Sequence, residues 1–517
     1  MERLTEARLR KLEEMARERA RLRVNPGKVR SQHPARESLE AFVTQTFPGF
    51  EWNWHHREIC RHLEMLERGD IKRLMVFCPP RAGKSELVSR RFPAWVMGRR
   101  PAWQVIGSSH TSELAAEMCG DVQDIIDSPE YQEVFPEVRL GMPEGGGRRV
   151  RRTQKVFKLA NSRGGYRAVG TRVRISGYGF NLGILDDPIG DADDAYSEAY
   201  RQRVWNWYNT TFRSRKNVDN RILLTVTRWH ADDLPGRLLR RMEEDGLADQ
   251  WTVIRFPALA EGPDQRDKND PRQEGEPLWP ARVGQFDREG IAADRASMPA
   301  FQFQALMQQR PSAAEGAVFQ EGWFGTWQEV GVVYKLTDGR MLARAACHRI
   351  VVIDPAASDG SSSDYTAIGT FAIGPGGEVL LLDMVRERIP IERVSERVKL
   401  VWDLYRPLYV AVEGVGFQKA MGTLIRSALP HVDLRFVEPQ GKGKLVRALP
   451  AVARTECGKV YLPSPAPAWV RPFLEEIAAF TGNNDLHDDQ VDCLSYAVQL
   501  AGMAGEVVGM PLVFNPK

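Results

Sequence analysis

Arg73-Leu74-Met75-Val76-Phe77-Cys78-Pro79-Pro80-Arg81-Ala82-Gly83-Lys84-Ser85-Glu86 is the stretch on which the reading of this chain turns. Residues 73–77 read as a short buried strand. A turn follows, and then a helical pattern. A phosphate-binding loop needs glycine where backbone approaches phosphate, a lysine for the β and γ groups, and a hydroxyl for Mg²⁺. Gly83, Lys84 and Ser85 fill those places, with Arg81, Ala82 and Glu86 beside them. Cys78 stands where the usual pattern has its first glycine, and Pro79-Pro80 follow. The plainer reading is an ordinary strand–turn–helix junction.

A second feature bears on that choice. Asp186-Asp187 follows the apolar run Leu182-Gly183-Ile184-Leu185. A carboxylate at a strand end, roughly a hundred residues after such a loop, is where P-loop ATPases hold Mg²⁺. On this reading Asp186 takes the metal and Asp187 orients the attacking water. Alone, two adjacent acids after a strand are as often a solvated turn. Arg81 lies inside the loop, either as a surface cap or as a charge that stabilises phosphoryl transfer. Thr227-Arg228-Trp229-His230 follows the strand candidate 222–226. Thr227 is placed to sense the γ-phosphate, and Trp229 and His230 are equally readable as packing residues.

A different chemistry is written further on. Asp354 ends the apolar run Ile350-Val351-Val352-Ile353, Asp364 comes ten residues later, and Glu413 ends Tyr409-Val410-Ala411-Val412. His487-Asp488-Asp489-Gln490-Val491-Asp492 opens a helical pattern, with Asp488 and Asp492 one turn apart on one face. Hard cations prefer oxygen ligands, and two ions ~3.5–4 Å apart clamp both oxygens of a phosphodiester displacement. Each acid alone reads as a surface carboxylate. Strand–Asp, strand–Glu and helical Asp-Asp-x-x-Asp in that order read as a two-metal nuclease. Lys442, Lys444 and Arg447 are candidate DNA contacts or members of a solvated loop.

Composition bounds the organisation. The 517 residues are too many for one core. Lys plus Arg is 71 against 68 Asp plus Glu, a net charge of +3, which excludes a histone-like polycation but leaves local DNA-binding patches open. No 18-residue apolar run is present, so no membrane span is expected. The six cysteines form no Cys-x-x-Cys pair, which points to a reducing cytoplasm rather than a zinc or disulfide scaffold. Strand and helix patterns alternate, with strand candidates at 104–107, 182–185 and 222–226, and then at 349–353, 366–373, 378–384 and 408–412. The fold class is therefore α/β: a mostly parallel sheet covered by helices in the first half, and a second α/β unit from about 348. The expected divisions are an N-terminal helical arm over 1–40, a P-loop ATPase domain over 41–255, and a lid or linker over 256–345. A nuclease domain over 346–505 and a tail over 506–517 follow. The arm reads as a solvated helix or frayed arm, or as a helix that touches a partner subunit or DNA.

Taken together, these motifs resemble those of the large terminase subunit of tailed double-stranded DNA bacteriophages. The resemblance runs from about 40 to 500. It rests on 79–85, Ile184-Leu185-Asp186-Asp187-Pro188, 227–230, Phe303-Gln304-Ala305-Leu306-Met307-Gln308-Gln309-Arg310-Pro311 with Gly316 and Phe319, Asp354-Pro355, Glu413 and 487–492. It implies an ASCE-type P-loop ATPase followed by an RNase H-like nuclease. It also implies ATP with Mg²⁺ at the first site and two Mg²⁺ or Mn²⁺ at the second. The implied partners are double-stranded DNA, the portal of an empty procapsid, a small terminase subunit and further copies in a ring, usually of five. The implied location is the host cytoplasm, docked on the portal. Position by position, Lys84 and Ser85 would bind phosphate and Mg²⁺, Asp186 would be the Walker B acid and Asp187 the catalytic carboxylate. Arg81 would act in cis and Thr227 would couple hydrolysis to movement. Asp354, Glu413 and Asp488 or Asp489 would hold the nuclease metals, with Asp492 close by. Asp187 departs from the glutamate usual at its place. His55-His56 fall at the family's adenine-contact segment. A DNA-repair ATPase–nuclease and a decayed prophage scaffold are the rival functions.

Overall fold

The computed structural model describes residues 33–141, 152–160, 162–312, 318–355, 365–414, 418–439, 441–482, 485 and 487–507. The arm over 1–32, Asp364, Gly316 and the last ten residues therefore lie outside the described residues. The chain forms two compact units. The first comprises residues up to Gly190, 198–227 and 232–278, and the second 191–197, 228–231 and everything from Trp279 onward.

The first unit is built on a sheet of β1 (Arg73–Phe77), β2 (Gln104–Ser109), β3 (Arg152–Thr153), β4 (Val156–Lys158), β5 (Gly165–Gly170), β6 (Phe180–Asp186), β7 (Lys216–Val226) and β8 (Thr252–Arg255). Their order is β3-β4-β5-β2-β6-β7-β1-β8. From β5 to β8 all neighbours run parallel, and only the β3-β4-β5 edge is antiparallel. All four strand candidates of this half lie within these strands. Parallel strands covered on both faces must be apolar throughout. β1 is buried at every residue, and β6 at all but Asn181. β7 lies between β1 and β6. Phe77 pairs with Val226, and Asp186 with Thr225. That register brings Cys78, Thr227 and Asp187 to one edge, the carboxyl ends of the strands, where open α/β sheets take their ligands.

The second unit is built on β9 (Gly325–Val330), β10 (Val333–Leu336), β11 (Met341–Ala343), β12 (His348–Asp354), β13 (Thr366–Ile373), β14 (Val379–Glu387), β15 (Tyr409–Glu413), β16 (Leu434–Val437) and β17 (Val460–Pro463). The order is β11-β10-β9-β17-β14-β13-β12-β15-β16. This sheet is mixed. β12-β13-β14 and β9-β10-β11 are antiparallel, while β15 and β16 extend β12 in parallel. The five-residue link 374–378 between β13 and β14 leaves no room for a crossover helix, so those two strands pair antiparallel. Residues 325–343, inside the stretch expected as a lid or linker, supply three strands to this sheet. Helix Asp489–Val507 buries Val491, Leu494, Ala497 and Val498 in a core shared with Val352, Ala367 and Phe371.

Candidate functional site

The glycine-containing loop is shaped by its own backbone. Gly83 has φ +82°, and a Cβ there would lie 2.7 Å from His56 Nε2, so both conformation and space require glycine. His55 and His56 each bring Nε2 to 3.1 Å from the Ala82 carbonyl, to which an imidazole N–H donates. His56 Nδ1 accepts from the backbone N–H of Asn53, which caps helix Trp54–Arg68. Burial, and then His56, push His55 well below the usual imidazole range, which keeps it neutral. These two histidines, placed by resemblance at an adenine contact, hold the loop carbonyl here. Arg81 stands exposed in left-handed backbone, φ 62°.

Lys84 is buried and donates to Thr227 Oγ1 at 2.7 Å, and its Nζ lies 2.9 Å from Asp187 Oδ2. Burial opposes the ammonium charge, but Asp187 and Asp186 outweigh it and hold Lys84 above its usual range. Asp187 Oδ1 accepts from Thr227 N–H at 2.7 Å, and Thr227 Oγ1 donates to the Cys78 carbonyl at 3.2 Å. One loop residue, one strand-end acid and one strand-end hydroxyl thus close a ring around the lysine. Asp186 accepts from Ser85 Oγ at 3.3 Å and from Ser89 Oγ at 2.6 Å. Burial first, and then Asp187, push its carboxyl up to about 6. The sequence reading missed Ser89. It lies four residues beyond Ser85, on a π-helical turn Glu86–Arg91, so both hydroxyls face one acid. The Glu86 carboxylate pairs with Arg91 Nε at 2.7 Å.

Arg228 and Gln309 meet in the second unit. Gln309, at φ 56°, accepts the Arg228 N–H on Oε1 at 3.0 Å. The Gln-Arg-Pro signature thus has a structural role, in which one amide side chain fixes the backbone just after Thr227.

The acids of the second unit converge through strand register. β12 and β15 pair in parallel, with Ile353 opposite Val412, so Asp354 and Glu413 lie side by side at the strand ends. Asp354 is buried. Its carboxyl is pushed well above the usual range by burial, by Asp492 and by Glu413. Asp492 is pushed up to about 7, by burial first. Asp488 sits one residue before the helix, and its carbonyl accepts the Asp492 N–H at 2.9 Å. Asp489 pairs with Arg386, 3.6 Å from its Nε. Burial, followed by Glu476, pushes Asp489 up to about 6.

Two of the basic residues read as candidate DNA contacts, Lys444 and Arg447, line this acid cluster. Lys444 Nζ donates to both Asp488 oxygens, at 2.7 and 2.6 Å. Arg447 reaches Glu413 Oε1 at 3.4 Å and Asp492 at 3.2 Å, and donates to the Tyr496 hydroxyl. Tyr496 in turn donates to Glu413 at 3.0 Å. Lys442 is exposed. The spacing of Lys444 and Arg447, three apart at the start of helix Lys444–Glu456, was the one signal in the sequence that they share a face.

Among the described residues no three His, Cys, Asp or Glu stand at metal-holding spacing. Lys444 and Arg447 take the carboxylate oxygens that a cation would take. The donor chemistry nonetheless fits a hard divalent ion. Asp354, Glu413, Asp488 and Asp492 offer oxygen only, and burial and mutual repulsion disfavour charge on Asp354 and Asp492, a cost that a bound cation offsets. Among the described residues no helix is long and apolar enough to cross a membrane.

Comparison with known proteins gives a family for each half. Residues 75–324 match the model described as terminase large subunit, T4likevirus-type, N-terminal, and residues 351–500 match that of the terminase RNaseH-like domain. No curated protein matches. Among solved structures, the large terminase of the thermophilic bacteriophage D6E is similar at 11% identity and TM-score 0.44, covering 83% of this chain and 94% of that one. The HK97 bacteriophage large terminase is similar at 11% identity and TM-score 0.37, covering 90% and 99%. The human cytomegalovirus terminase nuclease domain is similar at 16% identity and TM-score 0.26, covering 31% and 86%.

Proposed function

The chain belongs to the large terminase family, an ATPase joined to an RNase H-like nuclease, and we propose that it is the motor subunit that drives double-stranded DNA into a procapsid and cuts the concatemer. The observation that carries this reading is the pairing of two sites in one chain. Lys84 is ringed by Asp187 and Thr227 at the carboxyl ends of one sheet. Asp354 and Glu413 lie side by side at the strand ends of another.

In the motor, Lys84 exchanges Asp187 for the β and γ phosphates, and Ser85 and Asp186 are the residues that would hold the accompanying Mg²⁺. Asp187, released from Lys84, accepts a hydrogen bond from the attacking water and aligns it. Arg81 offers its guanidinium to the phosphates, and Thr227 transmits the change through β7. In the nuclease, Asp354, Glu413, Asp488 and Asp492 would hold two Mg²⁺ or Mn²⁺, with Asp489 alongside. Held there, such ions would supply Lewis-acid stabilisation to the phosphodiester displacement. The protein's part is to fix the carboxylates on strand ends and one helix, and to neutralise DNA phosphate with its basic side chains.

The reading includes a ring of five such subunits on the portal, fed with DNA by a small terminase subunit in the host cytoplasm. Its test is ATP-driven protection of DNA in purified empty heads, with and without this protein. Nuclease-resistant DNA that depends on both ATP and the protein supports it. ATPase activity that procapsids and portal leave unstimulated, with no protected DNA, moves the chain to a repair-type ATPase–nuclease.

A further inference from the structure

Lys444 and Arg447 both contact the acid cluster, yet they are built differently. The Arg447 side chain is 11% exposed and is wedged among Glu413, Asp492 and Tyr496. It is part of the wall. The Lys444 side chain is 49% exposed, while Asp488 is 10% exposed and gives both of its oxygens to that one ammonium. The backbone beneath is pinned: Gly443 N–H donates to Asp193 Oδ1 at 2.6 Å, and Arg447 N–H to the Gly443 carbonyl at 3.0 Å. What can move is the four-carbon stem of the lysine, with solvent on one side of it.

An ammonium on both oxygens of Asp488 excludes a divalent cation from them. A compact, strongly hydrated point charge on a flexible stem has one other natural partner near a nuclease centre, a backbone phosphate of the DNA. We propose that Lys444 is a counter-cation released by substrate: it occupies Asp488 when no DNA is bound, and moves to a DNA phosphate when DNA arrives, which opens Asp488 to a divalent ion. This rests on the nuclease reading of the acid cluster and adds to it the order of loading. Metal occupancy at Asp488 is linked to DNA, and the linkage is reciprocal, so metal also tightens DNA. A motor that holds DNA in bulk cannot cut at every moment. Closing the metal site until a phosphate reaches Lys444 confines cutting to a seated strand.

The test is binding of Mn²⁺ to the full-length protein, followed by electron paramagnetic resonance of the free ion, with and without a short DNA duplex. In the wild type the duplex should tighten Mn²⁺ binding at least about fivefold, the lower end of ordinary linkage. Lys444→Met should bind Mn²⁺ without DNA as tightly as the wild type does with it, and the duplex should then add little. Lys444→Arg, which keeps the charge, should retain the weak DNA-free binding. In metal-free buffer Lys444→Met should melt below the wild type, because Asp488 loses its partner. Lower melting without any change in Mn²⁺ binding or in its DNA dependence overturns the proposal and leaves Lys444 a structural ion pair. Mn²⁺ binding that falls with Asp354→Asn yet ignores Lys444→Met also overturns it, with the nuclease reading intact. No Mn²⁺ binding to any form, with or without DNA, overturns both.

Discussion

At the scale of single residues, the two acids at the end of β6, Asp186 and Asp187, differ in what they contact. Asp186 faces two serine hydroxyls, and Asp187 faces a lysine and a backbone N–H. Asp187→Asn should therefore bind ATP near wild-type affinity but turn it over at least about a hundredfold more slowly, as for loss of a positioned base. Equilibrium binding set beside steady-state ATPase separates the two, and lost binding with normal turnover of what remains would reverse the assignment. Asp492 sets a pH dependence. Its folded pKa, about 7, lies above the unfolded carboxyl value of about 3.9. The folded protein then binds the proton more tightly than the unfolded chain. That stability is fully present below about 3.9 and is lost as pH rises through 7. Melting curves of metal-free protein should fall over this window, and Asp492→Asn should flatten the fall. Mn²⁺ should raise the melting temperature more at pH 8 than at pH 5, and equal shifts at both would count against the site.

At the scale of elements, helix Asp489–Val507 sets the position of the carboxylates that it carries. Leu494 is fully buried against the sheet. Leu494→Ala removes that packing and leaves a cavity, at a cost of about 2–5 kcal/mol. Chemical denaturation followed by the nuclease-unit transition should show that loss. Plasmid cutting should drop while ATPase stays near wild type, and a variant of full stability and full cutting would show that the helix does not position the site. The strands that end at the two candidate sites were legible in the sequence because each is an apolar run closed by an acid or a hydroxyl or leading into the glycine-containing loop: 73–77, 182–185, 222–226, 350–353 and 409–412. β9 to β11 were not. β9 and β11 are largely exposed, and β10 buries only Tyr334 and Leu336, on either side of Lys335, so no apolar run marks them. Nor did spacing show that Lys444 and Arg447 face the acids, since their partners lie 34 to 49 positions away and only folding supplies that proximity.

At the scale of the whole molecule, the two chemistries should separate by substitution. Lys84→Ala should abolish ATPase and packaging, yet leave Mn²⁺-dependent cutting of plasmid largely intact. Asp354→Ala should do the reverse, because removing one ligand undoes a clamp on both oxygens of the displacement. Assays of both activities on both variants make the check. Retained ATP turnover in the first, or strong cutting in the second, places the corresponding site elsewhere. The near balance of 71 basic and 68 acidic residues means that DNA affinity must come from local patches, and it should still fall steeply as salt rises.

The ring around Lys84 has a consequence for idling. Without nucleotide, the side chain assigned to align water is committed to a lysine, and that lysine is committed to it. A triphosphate that draws the ammonium away frees the carboxylate in the same motion. On the proposed reading the reactive arrangement is assembled by the fuel itself, and a subunit waiting empty has nothing with which to turn water on the wrong ester.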